Sequence, residues 1–129
     1  MLWMTTLLGC LSVGDSVPQN EFAESLAPAF CSKEKECSRG LYQSQYYDRA
    51  DCIATWEVDL ALQLDILDER GCGYDDAAAA ALFDGLLEMS CEAYYEGEEL
   101  AELSADVFTG CEGTTGGTTT YYYYGYEDY

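Results

Sequence analysis

The chain has no His, and only 5 Lys and Arg stand against 25 Asp and Glu in its 129 residues. Without imidazole, histidine acid/base catalysis and His-ligated metal sites are excluded. A formal net charge of −20 repels phosphate backbones, so nucleic acid is excluded as a partner, and anionic membrane surfaces are disfavoured for the same reason. Long apolar runs are also missing. The longest uncharged stretch, Met1 to Gly14, falls short of the roughly 18 residues of a membrane span and is broken by Thr, Ser and Gly. No Cys-x-x-Cys pair, P-loop or nucleophile elbow occurs, which argues against a structural zinc site, a nucleotide site or a hydrolase. The composition therefore predicts a non-catalytic protein with no cofactor and no metal.

At the N-terminus stands an apolar stretch from Leu2 to Leu8, closed by Leu7-Leu8-Gly9-Cys10. Met1 to Gly9 lacks the positive charge with which a signal peptide opens. The tetrapeptide nevertheless resembles the lipobox of bacterial lipoproteins, in which cleavage precedes a Cys that then carries lipid. That resemblance implies that residues 1–9 are a signal-peptide remnant, with Trp3 part of it, and that lipidated Cys10 holds the chain to a bilayer. Several acyl chains on one Cys anchor firmly where one would not. The alternative is a frayed apolar terminus with an incidental Cys. The polar segment Leu11 to Asn20, with Gly14 and Pro18, reads as a tether within a lipid-anchored segment 10–20.

Setting Cys10 aside leaves Cys31, Cys37, Cys52, Cys72, Cys91 and Cys111. An even number spread through a small acidic chain predicts three disulfides in an oxidising compartment. Four helices follow from pattern and caps. The first covers Asn20 to Ser38, kinked or restarted at Pro28 and ended by Arg39-Gly40. The second covers Asp48 to Arg70, capped by Asp48 with Asp51 three residues on, and carries the stripe Ile53, Trp56, Leu60, Leu64 and Leu67. Strict alternation from Val58 to Ile66 would also suit a strand, but length and the abundance of Ala, Leu, Gln and Glu favour helix. The third covers Asp75 to Cys91 and the fourth Glu98 to Phe108. The predicted fold is all-α: a small disulfide-stapled up-and-down bundle of about four helices over residues 21–111.

Up-and-down order makes a disulfide map. Cys31 and Cys37 lie about 9 Å apart along one helix at 1.5 Å per residue, too far to bond. Cys72 and Cys111 meet alone at one end and should pair. At the other end Cys37 is expected with Cys52, leaving Cys31 for Cys91.

The domain carries 21 acidic and 5 basic residues, a net charge of 5 − 21 = −16. Asp48, Asp51, Asp75, Asp76, Glu98 and Glu99 fall in first turns, and Lys33, Lys35, Arg39 and Arg70 at or near helix ends, where they complement the helix dipoles. Asp75-Asp76, Asp68-Glu69 and Glu98-Glu99-Glu102 also raise a calcium-binding or buffering alternative, although no EF-hand spacing is present. Residues 112–129, GTTGGTTT then YYYYGYEDY, read as a disordered tail, the alternative being an aromatic sticky segment.

The segments AFCSKEKEC, YYDRADCIATW, GCGYDDAAAAALFDGLLEMSC and FTGC, within residues 22–111, resemble the uncharacterised small Cys-rich helical lipoproteins of myxobacterial-type Gram-negative bacteria. The resemblance implies location and fold and carries no activity. It implies an exported protein, lipid-anchored in the cell envelope. Leu11 after the lipid Cys, where Asp would favour inner-membrane retention, points to the outer membrane. The expected role is to present an acidic helical surface to a protein or envelope partner.

Overall fold

The structure is a computed structural model and describes residues 13–111. The lipobox with Cys10, Trp3 and the Tyr-rich tail lie outside the described residues. A 3₁₀ turn at Gln19–Glu21 leads into α1 (Phe22–Cys37), followed by α2 (Arg39–Gln45), α3 (Arg49–Glu69), β1 (Gly73–Tyr74), α4 (Asp76–Glu88), α5 (Cys91–Glu96), α6 (Glu98–Val107) and β2 (Phe108–Thr109). The protein is all-α, with four main helices (α1, α3, α4, α6) and the short α2 and α5 between them.

α1 is the centre. Phe22, Leu26, Ala29, Phe30 and Lys33 recur at helical spacing and are all buried, which lets this helix pack against α3 on one side and α4 on the other. It runs through Pro28 as one element, so the proline does not restart it. α3 settles the helix-or-strand ambiguity. Asp48 Oδ1 accepts from Asp51 N (2.9 Å), and Asp51 Oδ2 accepts from Tyr47 N (2.9 Å). These bonds satisfy donors that a helix start leaves free. The predicted stripe faces the core, with Leu60 and Leu67 buried and Ile53, Trp56 and Leu64 packed against it. Of the rest of the alternating set, Val58 and Leu62 are exposed and Ile66 is half-buried.

Asp75 caps α4 as expected, its Oδ1 accepting from Ala77 N and Ala78 N (3.0 Å each). Gly85 lets α4 and α6 approach closely, since a Cβ there would lie 2.6 Å from Leu103 Cδ1. The ladder of β1 and β2 is antiparallel, Gly73 opposite Thr109 and Tyr74 opposite Phe108. It closes the end of the bundle where Cys72 bonds Cys111, the pairing that up-and-down order requires.

Three expectations are corrected. The other two disulfides are Cys31–Cys52 and Cys37–Cys91, with Cα separations of 6.1 and 5.4 Å, the reverse of the expected assignment. α1 ends at Cys37, just ahead of Arg39-Gly40 as expected, but Arg39 opens the unforeseen α2, which lengthens the connection and removes Cys37 from Cys52. Cys91 does not close α4; it opens α5, beside the end of α1 where Cys37 sits. Finally, the segment read as tether is partly folded. Val17 is 1% exposed within the core. Its N–H donates to Asp76 O (3.0 Å), and its carbonyl accepts from the Tyr74 hydroxyl (2.6 Å).

Candidate functional site

Helix-dipole matching holds for the acids: Asp51, Asp76, Glu98 and Glu99 occupy first turns. It holds less well for the cations. Lys35 lies in the last turn of α1 and Arg70 caps α3, but Arg39 begins α2, the unfavourable end for a cation. Lys33 is 2% exposed and spans to another helix. Its Nζ donates to Met89 O (2.6 Å) and Leu87 O (3.4 Å), carbonyls at the C-terminal end of α4, and pairs with Glu36 Oε1 at 3.2 Å. A buried ammonium is tolerated because these oxygens replace its water. Lys33 thus pins the joint between α4 and α5.

That joint leads into an acidic surface. Residues 91–107 contain Glu92, Glu96, Glu98, Glu99, Glu102 and Asp106 and no Lys or Arg. α5 and α6 fold against each other around an open groove of about 730 Å³. Ala93 and Leu103 form its apolar part; Glu96, Glu98, Glu99, Glu102 and Asp106 supply carboxylates. Local sequence makes this shape. Ser90 Oγ accepts from Ala93 N (3.1 Å) to start α5. Gly97, at φ +78°, ends α5 and turns the chain into α6; a left-handed residue is glycine's natural place. Leu100 and Val107 bury the opposite face of α6.

The sequence cluster Glu98-Glu99-Glu102 is therefore part of the groove, joined by Glu96 and Asp106 through folding. Asp68-Glu69 and Asp75-Asp76 belong to other elements and do not join it. With open, water-exposed carboxylates and an apolar strip, the groove suits long-range attraction and shallow contact with a cationic chain.

A second polar cluster lies between α1, α2 and α3. Glu34 is half-buried, and burial raises its carboxyl above the usual range. Trp56 and Tyr46 oppose the shift by favouring the charged form. Tyr46 donates its hydroxyl to Glu34 Oε1 at 3.3 Å. Trp56 Nε1 faces the same carboxylate but falls short of a full hydrogen bond, and is buried without another partner. Its ring is stacked on Phe30, centroids 4.2 Å apart and planes 7° from parallel. The Cys31–Cys52 bond, fully buried, adjoins Tyr42 in the same layer. At the other end, burial and the charges of Asp76 and Asp75 push the Tyr74 hydroxyl far up, which keeps it a proton donor to Val17 O.

Among the described residues, Glu36, Cys37 and Cys91 bring possible ligand atoms within 4.8 Å of one another. The two sulfurs are bonded to each other, however, and metal binding needs thiolates. No helix among the described residues is long and apolar enough to cross a membrane. The three disulfides fit an oxidising, exported environment. Comparison with family models, curated proteins and solved structures finds no match.

Proposed function

We propose that this protein is a non-catalytic, lipid-anchored envelope module that offers the α5–α6 groove to a basic segment of a partner protein. One observation carries the reading: five carboxylates converge on an open groove with an apolar strip, and no Lys or Arg lines it. Attachment through Cys10, on the outer membrane, rests on the lipobox resemblance and supplies the location. The folded body already holds the chain at Val13, which packs against the core. Cys10 stands three residues ahead of it, a reach of at most about 10 Å, so the anchor would hold the fold close to the bilayer.

Titration with hexalysine by calorimetry tests the groove. Exposed ion pairs contribute about 0.2–1 kcal/mol each, so Glu98→Gln, Glu99→Gln and Glu102→Gln together are expected to weaken binding about tenfold, with affinity falling as salt rises. Equal binding by the triple variant would overturn the reading. Calcium binding at micromolar levels with no preference for hexalysine would replace it with the cation-binding alternative. For the anchor, wild type expressed with an export-competent start should enter the detergent phase and Cys10→Ser the soluble fraction.

A further inference from the structure

The disulfides differ in what else holds the elements they join. Cys31–Cys52 is fully buried between α1 and α3, which already share the Phe30–Trp56 stack. Cys72–Cys111 is half-buried, but the β1–β2 ladder begins in the next residue, and Cys72 N and Asp75 N donate to Leu67 O and Val107 O. Opening either would free no element. Cys37–Cys91 is half-buried and joins α1 to α5, a six-residue helix that fully buries none of its residues. Beyond this bond, α5 packs Ala93 and Tyr94 only part-way against the core and reaches the end of α1 through the Tyr95 hydroxyl, which donates to Cys37 O and meets Ser38 Oγ. Its flanks are joints: extended Met89 and Ser90 before it, left-handed Gly97 after it. α5 carries Glu92 and Glu96, of which Glu96 lines the groove opposite the equally acidic α6, and like charges push the two apart.

We propose that Cys37–Cys91 is a reducible latch that holds α5 as one wall of the acidic groove, so that a dithiol reductant releases the wall while the core stays folded. The proposal rests on the groove reading for its consequence, though not for the motion. In the reaction, one thiolate of the dithiol attacks a latch sulfur to form a mixed disulfide and expel the other cysteine as thiolate. The reductant's second thiolate then displaces the remaining cysteine. Cys37 and Cys91 end as thiols, and the dithiol leaves as its disulfide, having supplied two electrons and two protons. Lys33 keeps its grip on Met89 O, so the movement is confined to the chain beyond it. A basic segment bridging α5 and α6 opposes the same repulsion, so occupancy and an intact latch favour each other.

Stepwise reduction of the full chain with dithiothreitol tests this, with alkylation and peptide mapping at each step, circular dichroism and hydrogen exchange. The expected result is that Cys37–Cys91 opens first, helical ellipticity is retained, and amides of residues 91–97 lose protection while those of α1 keep theirs. The double variant Cys37→Ser with Cys91→Ser should show the same exchange pattern without reductant. Either of the other bonds opening first, or protection of 91–97 surviving in both preparations, overturns the latch. These measurements contain no ligand. If they succeed and oxidised protein fails to bind hexalysine, the groove reading falls and the latch stands. If hexalysine binds, opening the latch should weaken it, and unchanged affinity would show that α5 is no part of the binding wall.

Discussion

α1 and α5 are both tied down by cysteine, yet the bonds do different work. α1 buries Phe22, Leu26, Ala27, Ala29, Phe30, Cys31 and Lys33, and its disulfide to α3 reinforces contacts that packing already makes. α5 fully buries nothing, packs only Ala93 and Tyr94 part-way against the core, belongs to a stretch with no positive charge, and is tied to the end of α1 by a covalent bond and a tyrosine hydroxyl. Where apolar area is removed from water, each side chain contributes about 1.5–3 kcal/mol, and cross-links add to a sum already favourable. Where it is not, the cross-link decides whether the element has a fixed place.

The largest effect should come from emptying the packed region. Phe22 is 1% exposed and meets the rings of Tyr74 and Phe108 edge-on, centroids 6.0 and 5.5 Å away. It ties α1 to the β1–β2 ladder. Phe22→Ala should cost about 3–5 kcal/mol, measured by urea unfolding. Tyr95→Phe, which deletes the hydroxyl bonds of α5, should cost about 1 kcal/mol and act on exchange in 91–97. If the two cost the same, the contrast between a packed and a tied helix is wrong.

Lys33 sits where the regions meet, and Lys33→Met tests the joint. The methionine keeps the stem's apolar contacts but strips Met89 O of its donor. Leaving such a carbonyl unsatisfied costs about 1–3 kcal/mol. Exposed Lys35→Met should stay within about 0.5 kcal/mol of wild type. Calorimetric melting of both variants checks the difference.

Much of the packed region was legible in the sequence. Asp48 and Asp75 announced helix starts because a short carboxylate accepts from backbone amides that nothing else satisfies. The α3 stripe was legible because 21 residues give the helical period room to repeat. The position of Lys33 was also written there, at helical spacing after Phe22, Leu26, Ala29 and Phe30, but its charge suggested surface. α2 and α5, of seven and six residues, are too short to show a period, and missing them exchanged two cysteine partners. Val17 gave no local signal, since its burial comes from Asp76 and Tyr74, more than fifty residues away. In the groove, the run Glu98-Glu99-Glu102 was visible as charge; its apolar strip and Glu96 wall came only with folding.

Salt should sharpen the contrast. The acidic excess is −16 over residues 21–111, and screening shortens its range to about 8 Å at physiological ionic strength. Melting temperature should rise by a few degrees from low to moderate sodium chloride, and calcium at equal ionic strength should do no more. Exchange protection should grow most in α5 and α6, which lack cations, and least in α1. A steep rise with micromolar calcium would point to a specific cation site.

The smallest effect concerns one acid in the packed region. Burial raises the Glu34 carboxyl above its ordinary 4.5. In the unfolded chain the side chain is ionised at neutral pH, and in the folded state burial penalises that charged form. As pH falls through the raised value, the folded state takes up its proton first. Stability from this group therefore increases with acidification, and levels off once pH is below 4.5 and the unfolded chain is protonated too. Glu34→Gln removes the charge yet keeps an oxygen for the Tyr46 hydroxyl. It should melt slightly higher than wild type at neutral pH, with the advantage shrinking to nothing below 4.5. Glu96→Gln, on the exposed groove wall, should show no such convergence. If Glu34→Gln instead melts lower at neutral pH, the Tyr46 and Trp56 interactions with the carboxylate outweigh its burial, and this layer is held by charge as α5 is held by sulfur.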